Sequence, residues 1–284
     1  MSITTSVIVI VACGVVVATA AAVRSTWSPC GLSMLSTITP FTERARGHSF
    51  RGTAAWFMAG ASVGGATLGL LMAVGAAVIA RLHLPADGRL WAAGAAALVA
   101  AGSDGAVIGW RVPVHRRQVN ERWLDGYRPW VYGAGFGWQI GAGLVTYITT
   151  AGVYLLIVLG ALTAAPIAGL LLGIWFGLLR GTAVLLTRCV QSVGDLLVFH
   201  RRFEAALPLA DRVVRGAELV VVLAAAVGLA TPTSLLVLVG LGAAVAGVSL
   251  VRLHRRRMQL QSRRLPATEP GLVLPSPGKA PDPV

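Results

Sequence analysis

Trp27-Ser28-Pro29-Cys30-Gly31-Leu32-Ser33-Met34-Leu35 sets a cysteine directly after a proline, inside a run that is otherwise apolar. Upstream lies the uniformly apolar Ile3–Val23, and downstream the stretch continues, bounded by proline, to Phe41. Proline removes one backbone N–H and bends a helix. In lipid, a broken helix is tolerated only where protein or a watery cavity satisfies the freed groups. A thiol at such a break can be reached and can work. The stretch therefore reads as a broken membrane helix, with Pro29 as the break and Cys30 as the candidate catalytic thiol.

Composition supports the membrane setting. The chain is 56% hydrophobic and 12% charged, about half the charge of a soluble domain. Several apolar runs reach about 20 residues, the length that crosses a bilayer's hydrocarbon core. No sizeable soluble domain is left over. The net charge of +13 would suggest nucleic acid in a soluble protein. Here the arginines cluster in alternate connections, which the orientation rule for membrane proteins explains, so nucleic acid is not an expected partner. Lys279 is the only lysine, and the chain is rich in Ala, Gly and Val. That usage points to a GC-rich bacterial genome.

After Ile3–Val23 and Trp27–Phe41, the apolar segments are Gly52–Ala80, Arg89–Trp110, Val131–Leu162, Pro166–Thr187, Val213–Ala230 and Pro232–Val251. Their Gly and Ala content allows close helix–helix approach. Residues 252–284 form a basic, then Pro-rich tail with too little apolar surface to offset ordering, so disorder is expected there. Glu43–Arg51 holds three Arg, Arg111–Arg128 five, Arg188–Arg215 five and Arg252–Arg264 six. Ala161–Ala165 and Thr231-Pro232 carry no charge, whereas Arg81–Arg89 holds two Arg and one Asp. Positive-inside reasoning puts 42–51, 111–129, 188–212 and the C-terminus in the cytoplasm. Seven spans follow if Ile3–Phe41 crosses once, and eight if Arg24–Ser28 is an external turn.

A faint internal repeat runs through the chain. Leu84-Pro85-Ala86-Asp87 echoes Leu207-Pro208-Leu209-Ala210-Asp211, and Arg51-Gly52-Thr53-Ala54 echoes Arg180-Gly181-Thr182-Ala183. Trp27–Thr39 lines up loosely with Trp138–Ala151. The order is the same in both halves. Each half holds three spans, an odd number, so the copies would insert with opposite orientation, as in many carriers that work at the midplane on broken helices. The expected fold is an all-α membrane domain over 1–251. It comprises repeat 1 at about 3–110, repeat 2 at about 131–230 and a seventh helix over 232–251.

Ser28-Pro29-Cys30 in a broken first span, within such a core, resembles the CcdA/DsbD-type transmembrane electron carriers over roughly residues 3–230. That resemblance implies thiol–disulfide exchange across a bacterial inner membrane, serving cytochrome c maturation or periplasmic disulfide reduction. It implies a thioredoxin-like or cytochrome c maturation partner and no cofactor. It also implies one membrane cysteine per repeat. Cys30 matches the first. The place of the second reads Gln139-Ile140-Gly141-Ala142-Gly143, with no sulfur. A dithiol relay needs two sulfurs within reach of each other.

Two other cysteines exist. Cys13, in an unbroken apolar run, reads as a small buried hydrophobe. Cys189 follows Arg188, whose charge favours a thiolate, and is the possible second thiol. No metal-ligand spacing occurs, and the five His fall in loops or the tail. Asp104, Gln139, Arg180 and Glu218 lie inside the apolar segments. At 1.5 Å per residue they share a layer about 7–14 Å from the cytoplasmic edge. Buried charges at that depth are expensive, so Arg180 is expected to pair with Asp104 or Glu218. This layer supports an alternative function, a small-solute or ion transporter. A third possibility is a non-catalytic membrane scaffold.

Overall fold

The structure, a computed structural model, describes residues 3–105, 126–145 and 147–229. The expected seventh span Pro232–Val251, the tail and most of the Arg111–Arg128 connection lie outside these residues. All regular elements among the described residues are helical. They are α1 (Ile3–Ser25), α2 (Pro29–Thr37), α3 (Pro40–Ala45), α4 (Phe50–Arg81), α5 (Ala86–Asp104), α6 (Pro129–Ala142), α7 (Gly152–Leu162), α8 (Pro166–Thr182) and α9 (Val193–Leu229), with a 3-10 turn over Ala183–Thr187.

Among the described residues, three helices are long and apolar enough to cross a membrane: Thr5–Ser25, Phe50–Arg81 and Pro166–Thr187. Gly152–Leu162 is a shorter apolar helix. Val131–Leu162, read from sequence as one span, is instead two helices with an interruption at 143–151. Gly143 has φ +70° and its N–H turns back to the Ile140 carbonyl, a geometry that suits glycine and ends α6. The stretch 193–212, read as part of a cytoplasmic loop, is helical and continuous with the following apolar segment in α9. The echoed Leu-Pro motifs also diverge. Pro85 caps the start of α5, whereas Pro208 lies inside α9.

Glycine decides how the helices pack. α4 lies between α6 and α8, and backbone meets backbone on both sides. A Cβ on Gly64 would fall 2.2 Å from the Trp138 carbonyl oxygen, and one on Gly141 2.0 Å from that of Ala61. On the other side, a Cβ on Gly65 would fall 2.4 Å from the Gly173 carbonyl oxygen, and one on Gly173 2.3 Å from the Gly69 Cα. Small residues allow this approach, and dispersion between the close backbones replaces the hydrophobic drive that lipid does not supply.

α5 packs along α9, and α1 packs against α7, α8 and α9. Two apolar clusters result. One gathers α1, α5, α7 and α9 around Leu156, Leu159, Met72 and Phe176. The other gathers Met34, Leu35 and Ile38 with Phe57, Tyr132, Phe136, Ile140 and Phe203. The short α2 is tied down by this second cluster, and that fixes the loop in front of it.

Candidate functional site

The chain turns sharply between α1 and α2. Ser28 is extended (φ −73°, ψ 155°), and its side chain accepts the Gly31 N–H at 3.1 Å. Pro29 fills the first helical position, where a missing N–H costs nothing. Cys30 therefore sits in the first turn of a nine-residue helix, only 2% exposed. The next residue has to be glycine, since a Cβ on Gly31 would lie 2.2 Å from the Thr26 carbonyl oxygen. Trp27 anchors the turn from outside. Its indole N–H donates to the Phe203 carbonyl at 2.8 Å, and its ring stacks on Phe203 with centroids 4.2 Å apart.

Arg180 lies against this turn. It is 2% exposed. Its Nη1 donates to the Ile140 carbonyl at 2.6 Å and its Nη2 to the Ser25 carbonyl at 3.5 Å. The guanidinium sits 5.6 Å from the centre of the Phe176 ring. Cys30 lies within electrostatic range of it. Ser25 ends α1, and Ile140 stands in the last turn of α6, just before the 143–151 interruption. One arginine thus bridges the two interrupted segments next to the turn that carries the cysteine. Gln139 is half-buried on α6, beside Ile140 in sequence.

The polar layer expected from the sequence is therefore split, and Arg180 pairs with neither Asp104 nor Glu218. Backbone carbonyls freed at the two interruptions take its donors instead, which sequence spacing could not show. Asp104, the last residue of α5, accepts the Thr150 hydroxyl and the Ala151 N–H, the latter at 2.8 Å. Glu218 on α9 is fully buried and faces Asp104. Among the described residues, none donates to either of its oxygens. Arg24, at the end of α1, pairs with Asp211 on α9, and its charge also acts on Asp104.

None of the three cysteines is in a disulfide. Cys13 is buried in the first apolar cluster. Cys189 is exposed and lines a cavity of about 680 Å³ with Arg44, His48, Arg51, Arg188 and Gln191. Cys30 is not part of that wall.

Sequence reading missed a further buried network. Glu43, assigned by its charge to a cytoplasmic loop, is fully buried. It accepts from the Thr53 hydroxyl at 2.5 Å, the Tyr132 hydroxyl at 2.7 Å and Arg46 Nη1 at 3.2 Å. The available hint was Thr39-Pro40, which caps a helix start, with Glu43 in the turn that follows.

Comparison with known proteins finds no matching family model, no matching curated protein and no matching solved structure.

Proposed function

We propose that this chain is a multi-pass bacterial inner-membrane protein of the CcdA/DsbD type that performs thiol–disulfide exchange through Cys30. The observation that carries the reading is the setting of that thiol. It stands in a helix-starting turn, held by Ser28 and Gly31, with the buried Arg180 bonded to the Ser25 carbonyl just before that turn. The second halves of both repeats also support it. α4 packs on α8 and α5 on α9, so the helices expected as second spans meet each other, as do those expected as third spans. That like-with-like pairing is what two inverted three-helix repeats produce. The seventh helix over 232–251 and the cytoplasmic C-terminus belong to the same proposal.

The chemistry needs only one sulfur from this chain. The Cys30 thiolate attacks one sulfur of a substrate disulfide, forming a mixed disulfide and releasing the other sulfur as a thiolate. A thioredoxin-like or cytochrome c maturation partner with two thiols then resolves it. One partner thiolate attacks the Cys30 sulfur of the mixed disulfide and displaces the remaining substrate sulfur as a thiolate; the partner's second thiolate then attacks the partner sulfur bonded to Cys30, closing the partner's own disulfide and releasing Cys30 as a thiolate. Two electrons pass from partner to substrate, and the protons follow the thiolates. Arg180 supplies a positive charge within electrostatic range of the sulfur on which negative charge develops.

A trapping experiment tests this. A thioredoxin-like partner stripped of its resolving cysteine should accumulate as a mixed disulfide with the full chain. The adduct should vanish in Cys30→Ser and persist in Cys13→Ser and Cys189→Ser. An adduct that survives Cys30→Ser overturns the proposal. The rival reading, a small-solute or ion transporter without redox chemistry, draws on the buried Asp104 and Glu218. Function that survives removal of all three cysteines would favour it.

A further inference from the structure

Glu218 is the most anomalous side chain in the bundle. It is fully buried, and among the described residues neither oxygen receives a hydrogen bond. Another acid, Asp104, lies within interaction range of it. The groups that face the pair come from every element around it. Arg24 of α1 is committed to Asp211, and one of its nitrogens, Nη1, is buried without a partner. Arg215 of α9 acts on Glu218 but donates its Nε to the Asp211 carbonyl. The interruption at 143–151 gives its Thr150 hydroxyl and Ala151 N–H to Asp104. The nearby Thr149 hydroxyl is buried and has no partner.

This inventory leaves Asp104 supplied with donors and Glu218 with none. Two facing carboxylates in a medium of low dielectric repel, and a carboxylate with no donor there is costly. A single proton removes both penalties at once. It cancels one charge and gives Glu218 an O–H to donate to an Asp104 oxygen. A metal cation fits less well, because the Arg24 charge acts on Asp104 and both Asp104 oxygens already accept bonds.

We propose that Asp104 and Glu218 form a carboxyl pair that holds one exchangeable proton on the seam between α5 and α9. The site shares no residue with the Cys30 turn and stands whether or not the thiol reading does. The interruption of the second half is what makes it. An unbroken helix over 143–151 would keep its own N–H groups, and none would be left for Asp104.

Dicyclohexylcarbodiimide, an apolar reagent that reacts with protonated carboxyls in membranes, tests the pair on the full chain in liposomes. Peptide mass spectrometry should find the adduct on Glu218 or Asp104, with no more than one per chain, and labelling should fall as pH rises. Glu43 is the internal control. It is as deeply buried but accepts from Thr53, Tyr132 and Arg46, and it should stay unlabelled. The infrared carbonyl band of a protonated acid should be present in the wild type and lost in Glu218→Gln. Absence of both adduct and band in the wild type overturns the proposal. So does labelling of Glu43 to the same extent. Protection by Na⁺ at constant pH overturns it in favour of a metal-cation site.

Discussion

Arg180 and Gly31 both shape the turn that carries the candidate thiol. Arg180 adds a charged donor to two carbonyls, Ile140 and Ser25, that each accept one turn hydrogen bond besides, from the Gly143 and Ser28 N–H groups. A hydrogen bond from a charged group contributes about 1.5–3 kcal/mol. Arg180→Leu should therefore lower the thermal midpoint in detergent clearly, whereas Arg188→Leu, at an exposed position, should barely move it. Equal shifts would remove Arg180 from its bridging role. Gly31→Ala puts a Cβ against the Thr26 carbonyl, so the turn must open. In the parent protein a membrane-permeant maleimide should label Cys30 faster than Cys13, which lies in an unbroken helix. Gly31→Ala should change the Cys30 rate and leave that of Cys13 alone. An unchanged Cys30 rate would show that the turn does not govern access.

Helix contacts and helix ends set the stability of the elements. The face of α4 that meets α6 is a backbone contact, and Gly141 is its tightest point. Gly141→Val forces the two helices apart, and overpacking of this kind costs about 1–3 kcal/mol. Gly216→Val on α9, where a Cβ would meet nothing within 4 Å, is the matched control. The thermal midpoints of the two variants should differ in that order. At the start of α9, the Ser192 hydroxyl accepts the Asp195 N–H at 3.1 Å and Asp195 Oδ2 accepts the Gln191 N–H at 3.0 Å. The Gln191 N–H and the Ser192 side chain hold the Asp195 carboxyl below its usual value. A depressed carboxylate stabilises the fold above its unfolded pKa, and that contribution disappears as pH falls through the native value. The hydrogen-exchange protection factors at the first turn of α9 should therefore fall in acid. Asp195→Asn should show the low protection at neutral pH as well, and a neutral-pH protection factor equal to the parent's would refute the capping role.

Orientation in the membrane is a property of the whole molecule. The arginine-rich connections resist translocation, so reporter fusions at Arg117 and Arg257 should read cytoplasmic. A fusion within Ala161–Ala165, which has no charge, should read external. A periplasmic signal at Arg117 would invert the map. The same arginine bias hid something from sequence reading. Glu43, Arg46 and Arg89 were counted as loop charges, yet Glu43 is fully buried and Arg89 is 3% exposed, reaching the Thr163 carbonyl and the Ser6 hydroxyl. A charge near the end of a span can point inward or outward with the same sequence spacing, and only its neighbours decide.

The sequence by itself determined the class of object. Apolar runs of helical length and small residues along them specify a helical membrane bundle, because lipid leaves the backbone no other way to bond. It also marked Pro29 as a break, since a proline cannot complete the ladder wherever it lies. Tertiary structure decided the rest. Gly-rich 131–162 could have stayed one helix. Its interruption at 143–151 gives Asp104 and Arg180 their partners, and packing across the bundle supplies those groups. Asp104, Arg180 and Glu218 are expected from the sequence at one depth, but depth does not say which sides of three helices meet. Packing across the bundle decides that: it brings Arg180 to the Ser25 carbonyl before the Cys30 turn and leaves Glu218 beside Asp104.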